Sequence, residues 1–260
     1  MSIYTLGIDI GSTASKCVML EDGKEIVAKS LIAVGAGTSG PQRAIDQVLA
    51  EAGKTREDMA FILATGYGRN SLEEFADSQM SELSCHGKGA GFLFPEVKTV
   101  IDIGGQDVKV MRVENGVMTN FQMNDKCAAG TGRFLDVMAR VLELEVDQLA
   151  DYDARADGAV TISSTCTVFA ESEVISQLAN NVDLCALIAG IHNSVAVRTA
   201  SLVRRLGLVQ PVVMTGGVAR NAGVIRALTQ ELDTAIAVSP MAQLCGAYGA
   251  AIYAWNKRKE

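Results

Sequence analysis

Proline, aromatic residues and positive charge are all in short supply in this chain, and each shortage excludes something. Only 4 prolines occur in 260 residues. No Pro/Ser-rich linker or low-complexity stretch interrupts the sequence, so separate domains would be joined by short hinges. Aromatics make up 5% of the chain, which leaves Ala, Val, Ile and Leu to build the core. The net charge is −7 and the pI about 5.0. That balance argues against general binding to nucleic acid or to an anionic membrane. No unbroken apolar run approaches the roughly 18–20 residues of a membrane span. The opening Met1-Ser2-Ile3-Tyr4 lacks a basic leader and enters a strand pattern at once, so no signal peptide is expected. Six irregularly spaced cysteines do not resemble a secreted disulfide framework. The expected location is a reducing cytoplasm, where thiols are free to be ligands or core residues.

What the chain does have is an internal repeat. Residues 9–23 (DIGSTASKCVMLEDG) align without a gap on residues 102–116 (DIGGQDVKVMRVENG). Asp9 matches Asp102, Gly11 matches Gly104, and Lys16 matches Lys109. Each copy reads as strand, glycine turn, strand, then an Asp-Gly or Asn-Gly hairpin turn suited to type I′ geometry. A second echo pairs Phe61-Ile62-Leu63-Ala64-Thr65-Gly66 with Val212-Val213-Met214-Thr215-Gly216-Gly217. Asp9 and Thr65 are 56 positions apart, while Asp102 and Thr215 are 113 apart, so the second half carries 57 more residues. Cys127 and Cys166 fall within that surplus.

Helices are legible between the strands. Ser39-Gly40-Pro41 starts one that stops near Gly53. A longer one is expected from about Asp183 to Gly207, with Leu184, Leu187, Ile188, Ile191, Val195, Leu202 and Leu206 mostly at helical spacing. The last runs from about Gln243 to the basic tail Lys257-Arg258-Lys259. These features predict an α/β protein of two halves: a first lobe over 1–97 and a second over 98–242. The helix at 243–260 should pack back on the first lobe, and the cysteine segment spans about 120–180.

The two glycine turns carry the chemistry. Without a Cβ, the backbone at Gly11-Ser12-Thr13 and at Gly104-Gly105-Gln106 can approach a phosphate, and consecutive N–H groups can form an anion nest. Asp9 and Asp102 lie in apolar strands, where a carboxylate needs a partner; Mg²⁺ held partly through water would be one. Lys16 could reach a phosphate, and Gln106 could orient the attacking water.

These loops, followed by Met214-Thr215-Gly216-Gly217, resemble the phosphate-1, phosphate-2 and adenosine motifs of the actin, heat-shock chaperone and sugar-kinase superfamily. The resemblance spans the chain. It implies an actin-like ATPase fold, with duplicated ribonuclease-H-like halves and a nucleotide cleft between them. It implies ATP or ADP on Gly11, Ser12, Thr13, Ala14, Ser15, Lys16, Gly104, Gly105, Gly216 and Gly217, with Arg220 and Gln243 near the base. Asp9, Asp102 and Gln106 would be catalytic. Many relatives have Thr where this chain has Gln106, which leaves the water-positioning role open.

Cys127 and Cys166 each precede a helical run, Phe134 to Leu144 and Val174 to Ala179. A thiolate or anionic cluster is stabilised at such a place by free N–H groups and the helix dipole. Two thiolates are half of a four-cysteine site, and a symmetric homodimer would supply the rest. Spacing leaves iron–sulfur and zinc both open. Cys17, Cys85, Cys185 and Cys245 read as structural, the Cys85-His86 pair as packing, and His192 as a surface or core residue. Glu171 and Glu173 suit the first turn of their helix.

The segments Asp125-Lys126-Cys127-Ala128-Ala129-Gly130-Thr131-Gly132-Arg133-Phe134 and Cys166-Thr167-Val168-Phe169-Ala170-Glu171-Ser172-Glu173 narrow the resemblance. They are similar to the activator components of 2-hydroxyacyl-CoA dehydratases, with benzoyl-CoA reductase ATPase subunits as cousins. That family implies a homodimer with one 4Fe–4S cluster on Cys127 and Cys166 of each chain. It also implies ATP-driven transfer of one electron from ferredoxin or flavodoxin to the dehydratase. Two other readings of the same fold stay open: a small-molecule kinase with structural cysteines or zinc, and a non-enzymatic, zinc-linked dimer or filament protein.

Overall fold

In the computed structural model, which describes residues 2–163 and 166–258, each repeat becomes the centre of its own sheet. Ser164, Thr165 and Lys259 lie outside the described residues. The first half comprises β1 (Tyr4–Ile10), β2 (Ser15–Glu21), β3 (Glu25–Ile32), α1 (Gly40–Ala52), β4 (Met59–Thr65), β5 (Ser78–Gln79) and α2 (Glu82–Leu93). The second begins with β6 (Thr99–Ile103), β7 (Val108–Glu114) and β8 (Val117–Asn124). It continues with α3 (Gly132–Val141), α4 (Leu149–Asp153), α5 (Thr167–Ala179), α6 (Leu184–Leu206), β9 (Val212–Thr215), α7 (Ala222–Leu232) and β10 (Ile236–Val238). The chain's last helix is α8 (Cys245–Lys257).

The sheets run β3-β2-β1-β4-β5 and β8-β7-β6-β9-β10. Matched strand for strand, the two orders are the same, so the sequence repeat is also a repeat of topology. Both hairpin turns carry two residues in the left-handed region: Asp22 and Gly23 at φ 50° and 69°, Asn115 and Gly116 at φ 53° and 71°. This is the type I′ signature read from the sequence.

Helix boundaries follow their caps. Gly53 closes α1 in the left-handed conformation at φ 61°. The Asp183 side chain caps α6 by accepting from the Ala186 amide at 2.8 Å. α6 is long and apolar enough to cross a bilayer, but 72% of its most apolar window is buried inside the protein. α5 starts at Thr167, earlier than expected, which corrects the reading of Glu171 and Glu173 as first-turn residues.

Contacts divide the chain into two compact units. One holds residues up to Val100, Met111–Asn120, and Ser239 onward; the other holds Ile101–Val110 and Phe121–Val238. In the first unit, β-strand alternation sorts two helical faces. Leu6, Ile8, Ile10, Cys17 and Met19 face α1 through Ala44, Ile45 and Val48. Val18 and Leu20 pack on α8 through Ala247, Tyr248 and Ala251. The remaining side of β1 presents Thr5, Gly7 and Asp9 to α8. The Thr5 hydroxyl donates to the Ala251 carbonyl at 3.3 Å. A Cβ on Gly7 would stand 2.1 Å from the Ala247 carbonyl oxygen. Only glycine lets the helix lie this close.

Gly7→Ala should therefore destabilise the fold by about 3 kcal/mol, because backbone has to move. Gly158→Ala, where a Cβ would meet nothing within 4 Å, should stay within roughly 0.5 kcal/mol of the parent. Urea denaturation followed by circular dichroism compares the two.

Candidate functional site

The strand register places the first acid. Asp9 sits opposite Lys16 on β2 and beside Thr65 on β4. Lys16 Nζ lies 3.0 Å from Asp9 Oδ2, and Asp9 is 3% exposed. The loop between β1 and β2 is closed by the Gly11 amide donating to the Ala14 carbonyl at 2.9 Å. Gly66 follows Thr65 at φ +90°, and a Cβ there would meet Asp9 Oδ1 at 2.5 Å. Ser12 is half-buried and Thr13 exposed at the loop tip, while Ala14 is buried. Ser15 is buried, and its hydroxyl donates to the Val34 carbonyl at 2.9 Å. The Ser15 side chain thus braces the loop.

The second unit repeats this arrangement. The Thr215 hydroxyl donates to Asp102 Oδ1 at 2.7 Å, and Lys109 Nζ lies 3.7 Å from Asp102 Oδ2. The Gly104 amide donates to the Asp107 carbonyl at 2.9 Å. Gly216, like Gly66, has a positive φ of +87° beside its acid. Gln106 is exposed at the tip, with Gly104 and Gly105 half-buried behind it. One difference matters. Asp107 occupies the place of Ala14, and its Oδ2 lies 2.7 Å from Lys109 Nζ. The second loop thus carries an additional, partly exposed carboxylate next to Gln106. The repeat alignment could have flagged it as the acidic departure between the copies.

The Gly132 and Arg133 amides, at the start of α3, donate to the Gly104 and Gly105 carbonyls at 2.9 and 2.8 Å. The chain leading out of the Cys127 segment is therefore bonded directly to the second glycine loop.

Beyond Thr215, Gly216 leads into a single helical turn over Gly217–Arg220. Arg220 is exposed, with Asp147 at 3.8 Å. Gln243 belongs to the first unit, in the turn Ala242–Leu244 ahead of α8. Asn221 caps α7, its Oδ1 accepting from the Val224 amide at 3.0 Å. That orientation turns Asn221 Nδ2 toward His192 Nε2 at 3.3 Å. The Nε2 must accept, so the ring proton sits on Nδ1, which lies 3.4 Å from Asp153 Oδ1. Arg226 Nε donates to Asp153 Oδ2 at 2.8 Å, and its NH2 group binds the other oxygen. Burial pushes the Asp153 carboxyl up, but His192 and Arg226 more than offset this and hold it at about 2. His192 is therefore a core residue with a charged partner, tying α4, α6 and α7 together.

The two candidate metal cysteines differ from the others in exposure. Cys127 and Cys166 are exposed, whereas Cys17, Cys85 and Cys245 are buried and Cys185 is intermediate. Burial pushes the Cys17 and Cys85 thiols up to about 12, which leaves them inert at neutral pH. Cys166 is the residue immediately before α5. Cys127 lies five positions ahead of α3, in a turn clasped by Asn124, whose Oδ1 accepts the Cys127 amide at 3.3 Å. Cys166 therefore stands at a helix start, whereas Cys127, expected at one, does not. A cavity of about 240 Å³ opens beside Cys127, lined in part by Arg198, Thr199, Ser201 and Arg205. Burial lowers the Arg198 pKa, and the Cys127 sulfur acts on it in the opposite direction. Cationic charge is thus in place for an anionic sulfur. Among the described residues no group of three or more His, Cys, Asp or Glu forms a metal cage. Exposed thiols are the ligand type that an iron–sulfur cluster or zinc takes. The oxygen donors at Asp9 and Asp102 have the chemistry that Mg²⁺ takes.

Two matched sheets, each with a buried acid, a lysine and a Thr-Gly turn, define an ATPase of the actin-like fold. The chain belongs to the BadF/BadG/BcrA/BcrD ATPase family, whose model matches residues 6–254. It is 68% identical over 257 residues to the (R)-2-hydroxyglutaryl-CoA dehydratase activating ATPase of Acidaminococcus fermentans, covering 99% of both chains. The crystal structure of that organism's (R)-2-hydroxyglutaryl-CoA dehydratase component A superposes with a TM-score of 0.97 at 67% identity and full coverage of both. The Clostridium difficile activator of 2-hydroxyisocaproyl-CoA dehydratase, solved with bound ADPNP, gives 0.95 at 53% identity, covering 98% of this chain and 96% of that one. A ROK family glucokinase from Streptomyces griseus shares the fold alone: TM-score 0.59, 14% identity, coverage 97% and 99%.

Asp153 contributes stability that is present above its unfolded pKa of about 3.9 and is lost as the pH falls toward 2. Asp153→Asn should cost roughly 3 kcal/mol at pH 7, the low end for a broken buried pair because Arg226 is partly exposed. The gap between variant and parent should narrow as the pH is taken from 5 to 3. Urea midpoints across that range measure it; a constant gap would show that the carboxylate's charge is immaterial.

Proposed function

We propose that this protein is a cytoplasmic, ATP-dependent activator of a 2-hydroxyacyl-CoA dehydratase, with the 2-hydroxyglutaryl-CoA enzyme as the first candidate partner. It would take one low-potential electron from ferredoxin or flavodoxin and deliver it with hydrolysis of ATP. The observation that carries this reading is the pair of exposed cysteines on a segment bonded to the second glycine loop. A small-molecule kinase has no use for that arrangement; a zinc-linked dimer would use the cysteines but not their tie to the glycine loop.

Each glycine loop offers its amides and its lysine to nucleotide phosphates. Lys16, held on Asp9, would be available to a phosphate oxygen with a metal ion supplying the carboxylate's counter-charge. Asp9 and Asp102 would supply oxygen donors of the kind that Mg²⁺ takes. Gln106 and the adjacent Asp107 would orient and deprotonate the attacking water. Gly216, Gly217, Arg220 and Gln243 are assigned to the adenosine.

Cys127 and Cys166 of two copies would together hold one 4Fe–4S cluster, a carrier of single electrons at low potential. Homodimer formation is supported by the apolar surface beside Cys166, where Val168 and Phe169 are 65% and 67% exposed. Large apolar residues left this open mark an interaction surface. Raising an electron by about 300 mV takes about 7 kcal/mol, within what nucleotide hydrolysis can supply. The backbone bonds from Gly132 and Arg133 to Gly104 and Gly105 give the phosphate loop a direct pull on the Cys127 segment.

In anaerobically purified protein, Cys127→Ser and Cys166→Ser should lose most bound iron, and Cys17→Ser and Cys185→Ser should keep it. Asp9→Asn and Asp102→Asn should lower the ATPase kcat by about 100-fold while retaining iron. Iron and sulfide analysis beside steady-state kinetics reads both. Zinc in place of iron, or unchanged hydrolysis in both aspartate variants, would defeat the proposal.

A further inference from the structure

Asp9 has a neighbour that the sequence does not announce. Gly246, the second residue of α8, lies over the Asp9 side of β1. A Cβ on Gly246 would stand 2.8 Å from Asp9 Oδ2 and 2.7 Å from His86 Nε2. The carboxylate and the imidazole therefore converge on one point, close enough for a direct or one-water contact. His86 is 6% exposed and lies in the second turn of α2. Its place is fixed from both sides. Cys245 Sγ donates to the His86 carbonyl at 3.5 Å. A Cβ on Gly249 would stand 1.8 Å from the Cys85 carbonyl oxygen, and one on Gly89 2.2 Å from that of Cys245. α2 and α8 are thus packed backbone to backbone, and the imidazole is held where they meet.

We propose that His86 is a positioning residue for the metal-binding carboxylate of Asp9. The proposal rests on the nucleotide reading of that aspartate. Lys16 Nζ, 3.0 Å away, neutralises Asp9. A lysine that transfers to a phosphate leaves the carboxylate without its cation at the moment the metal needs it oriented. A neutral imidazole N–H restrains a carboxylate without cancelling its charge, so Asp9 keeps its attraction for Mg²⁺. Partners of this kind behind a metal ligand are commonly worth 10- to 100-fold in metal affinity. Gly246 is required because any side chain there would part the two groups.

The test uses the full-length protein with ADP and Mn²⁺ as the probe, followed by electron paramagnetic resonance. His86→Phe keeps the ring volume and removes the donor; His86→Gln keeps a donor near the Nε2 position. His86→Phe should bind Mn²⁺ about tenfold more weakly, with ADP affinity in EDTA and melting temperature unchanged. His86→Gln should recover most of the loss. Equal Mn²⁺ binding in parent and His86→Phe would overturn the inference, as would equal losses in both variants. Absence of Mn²⁺ binding in the parent itself would instead overturn the assignment of Asp9. A second readout needs no variant. The chain has two histidines, so ring ¹⁵N signals of labelled protein are readily assigned. Adding Mg²⁺ to the ADP complex should shift the His86 signals; an unmoved His86 resonance under saturating Mg²⁺ also rejects the inference.

Discussion

A carboxylate buried in an apolar strand, with a lysine across the hairpin as its counter-charge, is the constraint on which both halves of this molecule are built. Removing such a charge from water is costly, and removing its partner alone is worse. The chain meets that cost twice with the same device. The glycine turn sets the register that brings lysine opposite acid. The neighbouring strand ends in threonine, and the next glycine leaves room for the acid's second oxygen. Asp9 with Lys16 and Asp102 with Lys109 and Thr215 are thus structural solutions before they are catalytic ones.

Much of this was legible in the sequence because the repeat is gapless over 15 positions. Identical spacing forced identical hairpins, and the Asp-Gly and Asn-Gly turns fixed their hand. α1 was legible from its proline start and glycine stop, and α6 from apolar residues at helical spacing. The short edge strands β5 and β10, of 2 and 3 residues, were not, since so brief a run has no periodicity to read. At the site, the limits were of two kinds. Asp107 was hidden by the repeat itself: matching copies drew attention to what they share, and Asp107 is where they differ. His86 and Asp153 were hidden by distance along the chain. Their partners, Asp9 and His192, belong to other elements, and only helix packing brings them together. The Cys127 reading put the cysteine at a helix start, but α3 begins five positions further on, at Gly132, and Asn124 shapes the intervening turn.

The surplus of the second half is not a loose appendage. Within it, α4 is clamped to α6 and α7 by the Asp153–His192–Asn221 chain, and α3 is bonded to the Gly104–Gly105 turn. One end of the surplus thus leans on rigid helices and the other on the glycine loop. Cys127 lies just ahead of the α3 anchor and Cys166 between α4 and α6, so each cysteine is flanked by an element held in place.

The close approach of the last helix to the first sheet has a practical corollary. Trp255 is the only tryptophan in the chain. Its indole lies against Gly23 of the first hairpin, where a Cβ would come within 2.5 Å of the ring, and the Arg258 guanidinium covers it. Fluorescence excited selectively at tryptophan therefore reads one place, the seat of α8 on the hairpin that follows Lys16, and gives it an optical signal without any label.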